Sequence, residues 1–252
     1  MGPDNLTLDE YLGGKLSVLQ PKIGYRAGVD PVLLAASVPA KPGQSVLELG
    51  CGVGVASLCL SSRVADLNLT GLELQAEYAS LATQNAETNN ANMKVVVGDL
   101  SQMPSDLRQT SFNHVIANPP YFLRDRSVSA TDQGRETAMG ENTPLVDWVT
   151  AAAKRLAPKG TATFIHRADR LDDLLASMAG RLGSVQVLPL VPRSGRDARL
   201  VILRAKKGGR APLRLHDSFL MHSGKRHESD EKDYSDAMNQ VLKNGSPLPF
   251  PE

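Results

Sequence analysis

The sequence contains no apolar run that approaches the roughly 18 residues needed to span a membrane. Its start, MGPDNLTLDEYL, lacks the basic segment and apolar block of a secretory signal. The only two cysteines, Cys51 and Cys59, form no CxxC pair, which argues against a disulfide framework and against a zinc site. Internal repeats and low-complexity segments are absent as well. These absences predict a cytoplasmic protein with no metal and no membrane partner.

The composition is that of an ordinary globular protein. Hydrophobic residues make up 41% and charged residues 22%, and 252 residues suffice for one α/β core with a small appendage. A net charge of +1 neither supports nor excludes a nucleic-acid partner. One basic stretch contains Arg193, Arg196, Arg199, Arg204, Lys206, Lys207, Arg210 and Arg214 against the single acid Asp197. Such a stretch forms either a phosphate-binding surface or the solvated flanks of a strand pair.

Strand-like apolar runs alternate with helix-like amphipathic runs through most of the chain. Strands are predicted at Ser45–Leu49, Leu69–Leu74, Lys94–Val97, His114–Ala117, Thr161–Ile165, Val185–Val191 and Arg199–Arg204. Helices are predicted at Val55–Val64, Gln75–Asn89, Pro144–Leu156 and Leu171–Leu182, with Pro158–Gly160 as a helix stop. Because β-α alternation places parallel strands between two layers of helices, a doubly wound α/β sheet is expected. The Pro/Ser/Gly turn before Arg199 favours an antiparallel last strand.

The two ends of the chain differ from this alternating core, which is expected to span residues 44–207. Residues 1–43 form an N-terminal extension that ends in a short helix near Asp30–Val38. Residues 208–252 leave the core through Gly208-Gly209 and form a polar tail. Its end, which contains Pro247, Pro249 and Pro251, is expected to fray.

A glycine-rich loop lies where the first core strand becomes a helix. It contains Glu48, Gly50, Gly52 and Gly54. Glycines at such a turn let the backbone approach a ligand, and the positive end of the next helix points there. The dinucleotide fingerprint Gly-x-Gly-x-x-Gly/Ala is not met, since its last position is Val55 or Ser57, and an oxidoreductase is therefore disfavoured. The acidic pattern instead resembles the first motif of S-adenosylmethionine enzymes, although a tight turn without a ligand would have the same glycines.

Two further acids follow the next predicted strands. Glu73 lies 23 residues after Gly50, where a carboxylate can accept hydrogen bonds from both ribose hydroxyls of a nucleoside. Asp99 follows the third strand, where a carboxylate can accept from an adenine amino group. Acids in turns are common, so it is their place in the series that makes these two candidates for cofactor binding.

The segment Asn118-Pro119-Pro120-Tyr121 directly follows an apolar strand. An exocyclic base amine is a poor nucleophile because its lone pair is delocalised into the ring, so an enzyme that methylates it should accept both N–H bonds. Asn118 offers a side-chain carbonyl and Pro119 a main-chain carbonyl, and the two prolines lack N–H donors. Tyr121 offers a face on which an extruded base can stack. The motif predicts catalysis by orientation without a strong general base, although a stiff loop after a strand is an alternative.

Glu48–Gly54 and Asn118–Tyr121 together resemble the N6-adenine and related amino-methyltransferases. Residues 20–34 are similar to the N-terminal signature of the bacterial tRNA N6-adenine methyltransferases, which modify the anticodon loop of valine tRNA. The matching positions are Gln20-Pro21-Lys22, Gly24-Tyr25-Arg26, Gly28, Asp30 and Leu33-Leu34. Arg135–Ala138 and the helix with Trp148 extend the similarity over most of residues 15–207.

This resemblance implies a Rossmann-like class I methyltransferase sheet, S-adenosylmethionine as the cofactor and RNA, most naturally tRNA, as the substrate. It also implies that residues 1–43 border the active site. The expected cofactor-binding residues are Asp30, Glu48, Gly50, Gly52, Gly54, Glu73, Asp99 and Asn118, with Tyr25 nearby. The expected catalytic residues are Asn118, Pro119, Pro120 and Tyr121.

Several alternatives stay open at this point. Another planar nitrogen could be the target: guanine N2 of ribosomal RNA, a glutamine amide of a translation factor, or DNA adenine. Glutamine enzymes usually carry a helical domain before the glycine loop, where this sequence has 44 residues before Ser45, and DNA enzymes generally carry a target-recognition domain. A catalytically silent RNA-binding protein of the same fold is disfavoured by the intact Asn118–Tyr121.

The remaining reactive side chains are expected to be structural or of undecided role. His114 is expected in the core or at a strand edge, and Cys51 as a small packed residue. His166 and Arg167 follow the fifth strand at the active edge of the sheet, where they are expected to cap the strand, with a contact to RNA as the alternative. His222 and His227 lack the spacing of metal ligands. Arg124, Arg126 and Arg135, which follow the motif, suit either a phosphate backbone or a solvated loop.

Overall fold

The computed structural model describes residues 5–123, 140–141, 143–224, 233–248 and 250. Arg124, Arg126, Arg135 and His227, and with them the segment Arg135–Ala138, lie outside the described residues. Within the part of the chain that is described, no helix is long and apolar enough to cross a membrane.

The secondary structure falls into three groups along the chain. The first group is β1 (Leu6–Tyr11), β2 (Leu16–Pro21) and α1 (Asp30–Ser37). The core begins with β3 (Ser45–Leu49), α2 (Val55–Arg63), β4 (Asn68–Glu73), α3 (Ala76–Thr88), β5 (Met93–Val97), α4 (Ser105–Gln109) and β6 (Phe112–Ala117). It continues with β7 (Phe122–Leu123), β8 (Gly140–Glu141), α5 (Leu145–Arg155), β9 (Leu156–Arg167), α6 (Leu171–Met178), β10 (Gly183–Val191) and β11 (Leu200–Lys206). The last group is β12 (Arg214–Leu215), β13 (Phe219–Leu220) and α7 (Asp236–Asn239), followed by a π-helical turn, Gln240–Asn244.

Parallel strands form the centre of the main sheet, in the order β9-β6-β3-β4-β5. Successive strand residues point to opposite faces, so Val46 joins an apolar cluster with α1, α2 and α3, while Leu47 joins a second cluster with α4, α5 and α6. The sheet is therefore covered by helices on both sides. Beyond β9, β11 runs antiparallel to β9 and to β10. The predicted doubly wound sheet with an antiparallel last strand is confirmed.

One predicted helix end lies within one residue of the observed end, and another is wrong. The helix α5 ends at Arg155 and β9 begins at the next residue, so the predicted stop Pro158–Gly160 lies within the strand segment. The pairing shifts there, from Phe112↔Leu156 to His114↔Thr161, and this bulge accommodates a proline and the positive φ of Lys159 because the bulged residues leave the ladder. The helix α6 ends at Met178 and not at Leu182, because the chain turns at Gly180 with φ of +73°.

The N-terminal extension contains a β-hairpin that the sequence did not predict. The strands β1 and β2 pair antiparallel through a turn in which Leu12, Gly13 and Gly14 have positive φ. Two side-chain amides from the α3 region hold its second strand: Ser17 N donates to Asn89 Oδ1 (3.0 Å), and Leu19 N donates to Asn85 Oδ1 (2.7 Å). The hairpin is thereby fixed to the helix that follows β4.

The described part of the tail packs onto the core. The strands β12 and β13 extend the sheet by pairing parallel to β10. Further on, Leu248 is buried, and its N–H donates to Ala36 O at the end of α1 (2.8 Å). The expected fraying is therefore wrong at Leu248, because its apolar side chain is covered by the core. The domain boundaries at residues 43/44 and 207/208 stay predictions.

Two partly buried arginines satisfy the carbonyl groups at the end of α1. Arg63 Nη2 donates to Ala35 O (3.0 Å) and Val38 O (2.6 Å), and Arg204 donates to Ser37 O. The Arg204 guanidinium also lies 3.5 Å from the centroid of the Phe250 ring, and burial lowers its pKa to about 10. Arg204 is thus a helix cap, so this member of the basic stretch is not a phosphate contact.

The packing of the tail can be tested with two leucines. Leu248→Ala should lower the free energy of unfolding by about 2–4 kcal/mol, because it empties a buried position next to α1. Leu215→Ala, in the same tail but 68% exposed, should change it by less than about 0.5 kcal/mol. Urea denaturation of both variants measures the difference, and equal small effects would contradict the described packing.

Candidate active site

A cavity of about 350 Å³ opens at the carboxyl ends of β3, β4, β5 and β6. The predicted residues that line it are Asp30, Glu48, Gly50, Gly52, Glu73, Asp99, Asn118, Pro119, Pro120 and Tyr121, together with Tyr25. Gly54 does not line it. This residue precedes α2 with φ of +90°, and a side chain there would meet Ala82 and Met93. Gly54 therefore allows the backbone of the turn but does not contact the cavity, while the other predicted residues line one cavity.

The glycine loop adopts a backbone that residues with side chains rarely take. Gly50 and Gly52 have φ of +64° and +54°. A Cβ at Gly50 would lie 2.7 Å from Cη2 of Trp148, so the α5 indole packs directly on the loop backbone. Trp148 also lines the cavity, and its Nε1–H donates to Thr143 O (3.2 Å). The sequence indicated the helix of Trp148 but not this contact.

The carboxylate of Glu73 ties the loop to the end of β4. Its Oε2 accepts from Gly52 N (2.8 Å) and its Oε1 from Gln75 N (2.9 Å), while burial raises its pKa. Asp99, after β5, accepts from Ser101 N (2.7 Å) and Ser101 Oγ (2.8 Å). Each acid is therefore held in a fixed orientation at the rim of the cavity by hydrogen bonds donated to it.

Glu48 is buried beneath the same loop. Its Oε2 accepts from both Ser57 N (3.0 Å) and Ser57 Oγ (2.5 Å) in the first turn of α2. Burial raises the pKa of Glu48 to about 7, and these two hydrogen bonds oppose that shift. The partner Ser57 was not predicted, because nothing in the sequence shows that this serine turns toward the strand and not toward solvent.

Asn118–Tyr121 leave the end of β6 and form one wall of the cavity. Among the residues that the structure describes, Asn118 Oδ1 is buried and accepts no hydrogen bond. The Tyr121 hydroxyl donates to Asp30 Oδ2 (2.5 Å) at the first residue of α1, and burial raises the pKa of Asp30. Asn118 thus lines the cavity on a loop that the N-terminal helix holds in place, and its buried Oδ1 has no donor among the described residues.

Other side chains lie where the sequence suggested. His114 is buried near the opposite end of its strand, and its Nε2 lies 2.8 Å from Gln44 Oε1. Burial raises the pKa of the Cys51 thiol, which keeps it protonated and unsuited to nucleophilic attack. His166 is also buried, and its Nε2 lies 3.3 Å from Pro120 O. The expectation of a strand-end residue is met, but the contact with the motif was not foreseen.

Residues 27–188 match the family model of the methyltransferase small domain. The chain belongs to this family. Among curated relatives, a tRNA1(Val) (adenine(37)-N6)-methyltransferase of Porphyromonas gingivalis is 30% identical, covering 69% of this chain and 74% of the relative. The enzyme of the same name from Aeromonas hydrophila is 28% identical, covering 74% and 79%. The resemblance found in the sequence is confirmed, and the chain is a methyltransferase.

Solved structures agree on the fold. A predicted O-methyltransferase from Agrobacterium tumefaciens superposes with a TM-score of 0.71 at 24% identity, over 87% of this chain and 98% of the other. An S-adenosylmethionine-dependent O-methyltransferase from Thermotoga maritima superposes with a TM-score of 0.53 at 13% identity, over 73% and 67%. These similarities confirm the Rossmann-like class I methyltransferase sheet.

The burial of Glu48 predicts a pH dependence of stability. Its pKa of about 7 in the folded protein lies above the ordinary 4.5, so the favourable burial of the neutral carboxyl is present below pH 4.5 and is lost as pH rises through 7. Glu48→Gln keeps a neutral acceptor for Ser57. Between pH 4.5 and 7, the wild type should lose up to about 3 kcal/mol of unfolding free energy relative to this variant.

Urea denaturation at several pH values measures this loss. Glu77→Gln, on the exposed face of α3, is the matched control and should follow the wild type. Parallel pH profiles for the wild type and Glu48→Gln would show that Glu48 ionises normally in the folded protein.

Proposed function

We propose that the cavity binds S-adenosylmethionine and that Asn118–Tyr121 present the N6 amine of an adenine in tRNA for methylation. The observation that carries this proposal is the buried Asn118 Oδ1, which has no hydrogen-bond partner among the described residues. A buried acceptor without a donor is costly, and an N–H group of a bound amine would satisfy it. The names of the curated relatives agree with tRNA adenine as the substrate.

The residues around the cavity fit the cofactor. Glu73 and Asp99 follow β4 and β5 and offer carboxylates to ribose hydroxyls and to an adenine amino group. Gly50 and Gly52 keep the loop free of side chains at the cavity. When bound, S-adenosylmethionine supplies a methyl group on a cationic sulfonium, and the acidic Asp30 and Glu73 suit a positive charge.

The chain's own groups orient the amine. Asn118 Oδ1 accepts one N–H, and the Pro119 carbonyl is assigned to the other, so that the nitrogen lone pair points away from both. Accepting both hydrogens favours the pyramidal amine over the planar one, and no strong base is required in this arrangement. The Tyr121 ring supports the base, and its hydroxyl is fixed by Asp30.

Only part of the basic stretch suits a phosphate-binding surface. Leu200 pairs with Arg167 at the carboxyl end of β9, so Arg196 and Arg199, in the turn before β11, lie at the edge of the active site and are exposed. Lys206 pairs with Thr161 at the other end of β9.

Three side chains of the basic stretch already make contacts within the protein. Arg204 caps α1, Arg193 forms an ion pair with Asp233, and Lys207 Nζ donates to Leu156 O (2.6 Å). The turn between β10 and β11 is therefore the part of the basic stretch that we assign to RNA binding. A tRNA substrate also agrees with the cytoplasmic location predicted from the sequence.

Asn118→Ala tests the chemistry. Because it removes an acceptor needed most as the amine pyramidalises, we expect the single-turnover rate of methyl transfer to tRNA to fall by roughly two to three orders of magnitude. Cofactor affinity should change less than about threefold, since Asn118 is assigned chiefly to the amine. The fluorescence of Trp148, the only tryptophan, reports that affinity from the wall of the cavity.

The matched control is Asn92→Ala, an exposed asparagine whose Nδ2 donates to Asn68. It should transfer methyl groups at the wild-type rate. A wild-type rate for Asn118→Ala itself would show that Asn118–Tyr121 is only a stiff loop.

Charge reversal tests the RNA surface. Arg196→Glu with Arg199→Glu should weaken tRNA binding and flatten the plot of log affinity against log salt by up to roughly two units, because two phosphate contacts are lost. Lys206→Glu with Arg210→Glu makes the same change in charge at the opposite edge and should leave that slope within about half a unit of the wild type. Equal salt-dependence slopes for the two double variants would show that the turn between β10 and β11 is not part of the RNA interface.

A further inference from the structure

His166 contacts two of the four residues of the Asn118–Tyr121 motif. It lies at the carboxyl end of β9, and its exposed fraction is 0%. Its Nε2 lies 3.3 Å from Pro120 O, and its ring meets the Tyr121 ring edge-on, with centroids 5.2 Å apart and planes at 65°. The proposed methyl-transfer chemistry assigns no role to this histidine.

One arrangement of the ring proton fits the contact with Pro120. A carbonyl oxygen only accepts hydrogen bonds, so Nε2 carries the proton. Burial lowers the pKa of His166 to about 4, and Arg170 lowers it as well, while main-chain contacts with Pro120 and Arg167 and the charge of Asp169 raise it. The ring is therefore neutral at pH 7, and its single N–H is directed at the loop. Such a ring is suited to holding a carbonyl group and not to exchanging protons with a substrate.

The loop needs a donor from outside. Pro119 and Pro120 have no N–H, so this segment cannot be fixed by main-chain donors of its own at these positions. Asp30 holds the Tyr121 hydroxyl from the side of α1. His166 approaches from β9 and engages the carbonyl that lies between the acceptors and the tyrosine ring.

We propose that His166 is a positioning residue for methyl transfer. Its Nε2–H and the edge of its ring hold Pro120 and Tyr121, so that Asn118 Oδ1 and the Pro119 carbonyl keep their aim at the amine. This inference rests on the proposed function of the site. Because His166 acts through the loop, its effect belongs to the rate of transfer and not to cofactor binding.

Three variants separate the contributions of His166. His166→Gln keeps an N–H close to the Nε2 position, and His166→Phe keeps a ring but no donor. His114→Phe is the matched control, since His114 is also a buried histidine whose pKa burial lowers to about 4, near the other end of a strand. Each variant is measured for its single-turnover rate with tRNA, its affinity for S-adenosylhomocysteine by Trp148 fluorescence, and its thermal stability.

We expect His166→Phe to transfer methyl groups roughly 10–100-fold more slowly than the wild type, with cofactor affinity within about threefold. His166→Gln should recover the rate to within about fivefold of the wild type. His114→Phe should lower thermal stability without slowing transfer. A wild-type rate for His166→Phe would overturn the proposal, as would equal losses for the two His166 variants.

A measurement without substrate tests the inference about His166 independently of the proposed function. In protein labelled with ¹⁵N-histidine, the resonances lost in His166→Gln identify the ring, which should show the neutral tautomer protonated at Nε2 and no titration above pH 5. Protonation at Nδ1, or a charged ring at pH 7, would overturn the inference even if tRNA is methylated. A wild-type protein that methylates no RNA would instead overturn the proposed function, and the inference with it, even if the Nε2 tautomer is found.

Discussion

Pro119 and Pro120 remove two consecutive main-chain N–H groups from the loop after β6. At this point the chain offers acceptors, one of which is the buried Asn118 Oδ1. A loop without donors cannot fasten itself, so its position depends on donors and partners from other elements. Asp30 accepts from the Tyr121 hydroxyl, and His166 donates to Pro120 O. The missing donors that suit the loop to an amine therefore explain the contact from β9, while α1 holds the loop by accepting from the tyrosine hydroxyl.

The helix α1 connects this loop to the rest of the molecule. Its first residue, Asp30, holds Tyr121, and its last carbonyls receive hydrogen bonds from Arg63, Arg204 and the backbone of Leu248. Most of its residues are buried. A short helix satisfied at its carboxyl end by partly buried cations cannot shift along its axis without losing those bonds. The tail thus contributes to the position of Tyr121 without lining the cavity.

The sequence predicted the parts of the fold that depend on neighbours along the chain. The strands that precede Gly50, Asp99 and Asn118 were predicted correctly because apolar runs and glycine turns are local signals. The parallel sheet between two layers of helices followed from β-α alternation, since crossover connections leave few topologies. The cavity then formed where the carboxyl ends of those strands meet, as the motifs suggested.

What the sequence did not predict depends on pairs that are distant in the chain. Asp30 and Tyr121 are separated by 91 positions, and no local sequence pattern predicts the hydrogen bond between them. The sequence left the basic stretch as either a phosphate-binding surface or solvated flanks, and it did not show that β11 separates Arg196 and Lys206 to opposite edges. A count of charges in a window cannot distinguish exposed arginines from Arg204, which a helix end has already engaged.

Asn85 and Asn89, which hold the hairpin, also affect self-association of the protein. Asn89 accepts from Ser17 N and donates to Ser17 O (2.8 Å), and Asn85 does the same for Leu19 N and Leu19 O (3.1 Å). A side-chain amide carries one donor and one acceptor group, as a peptide does, so the two asparagines occupy the free side of β2 as a neighbouring strand would. An open strand of this kind is a template for pairing with another chain. The helix α3 therefore shields the β2 edge of the hairpin from edge-to-edge self-association while presenting no strand edge of its own.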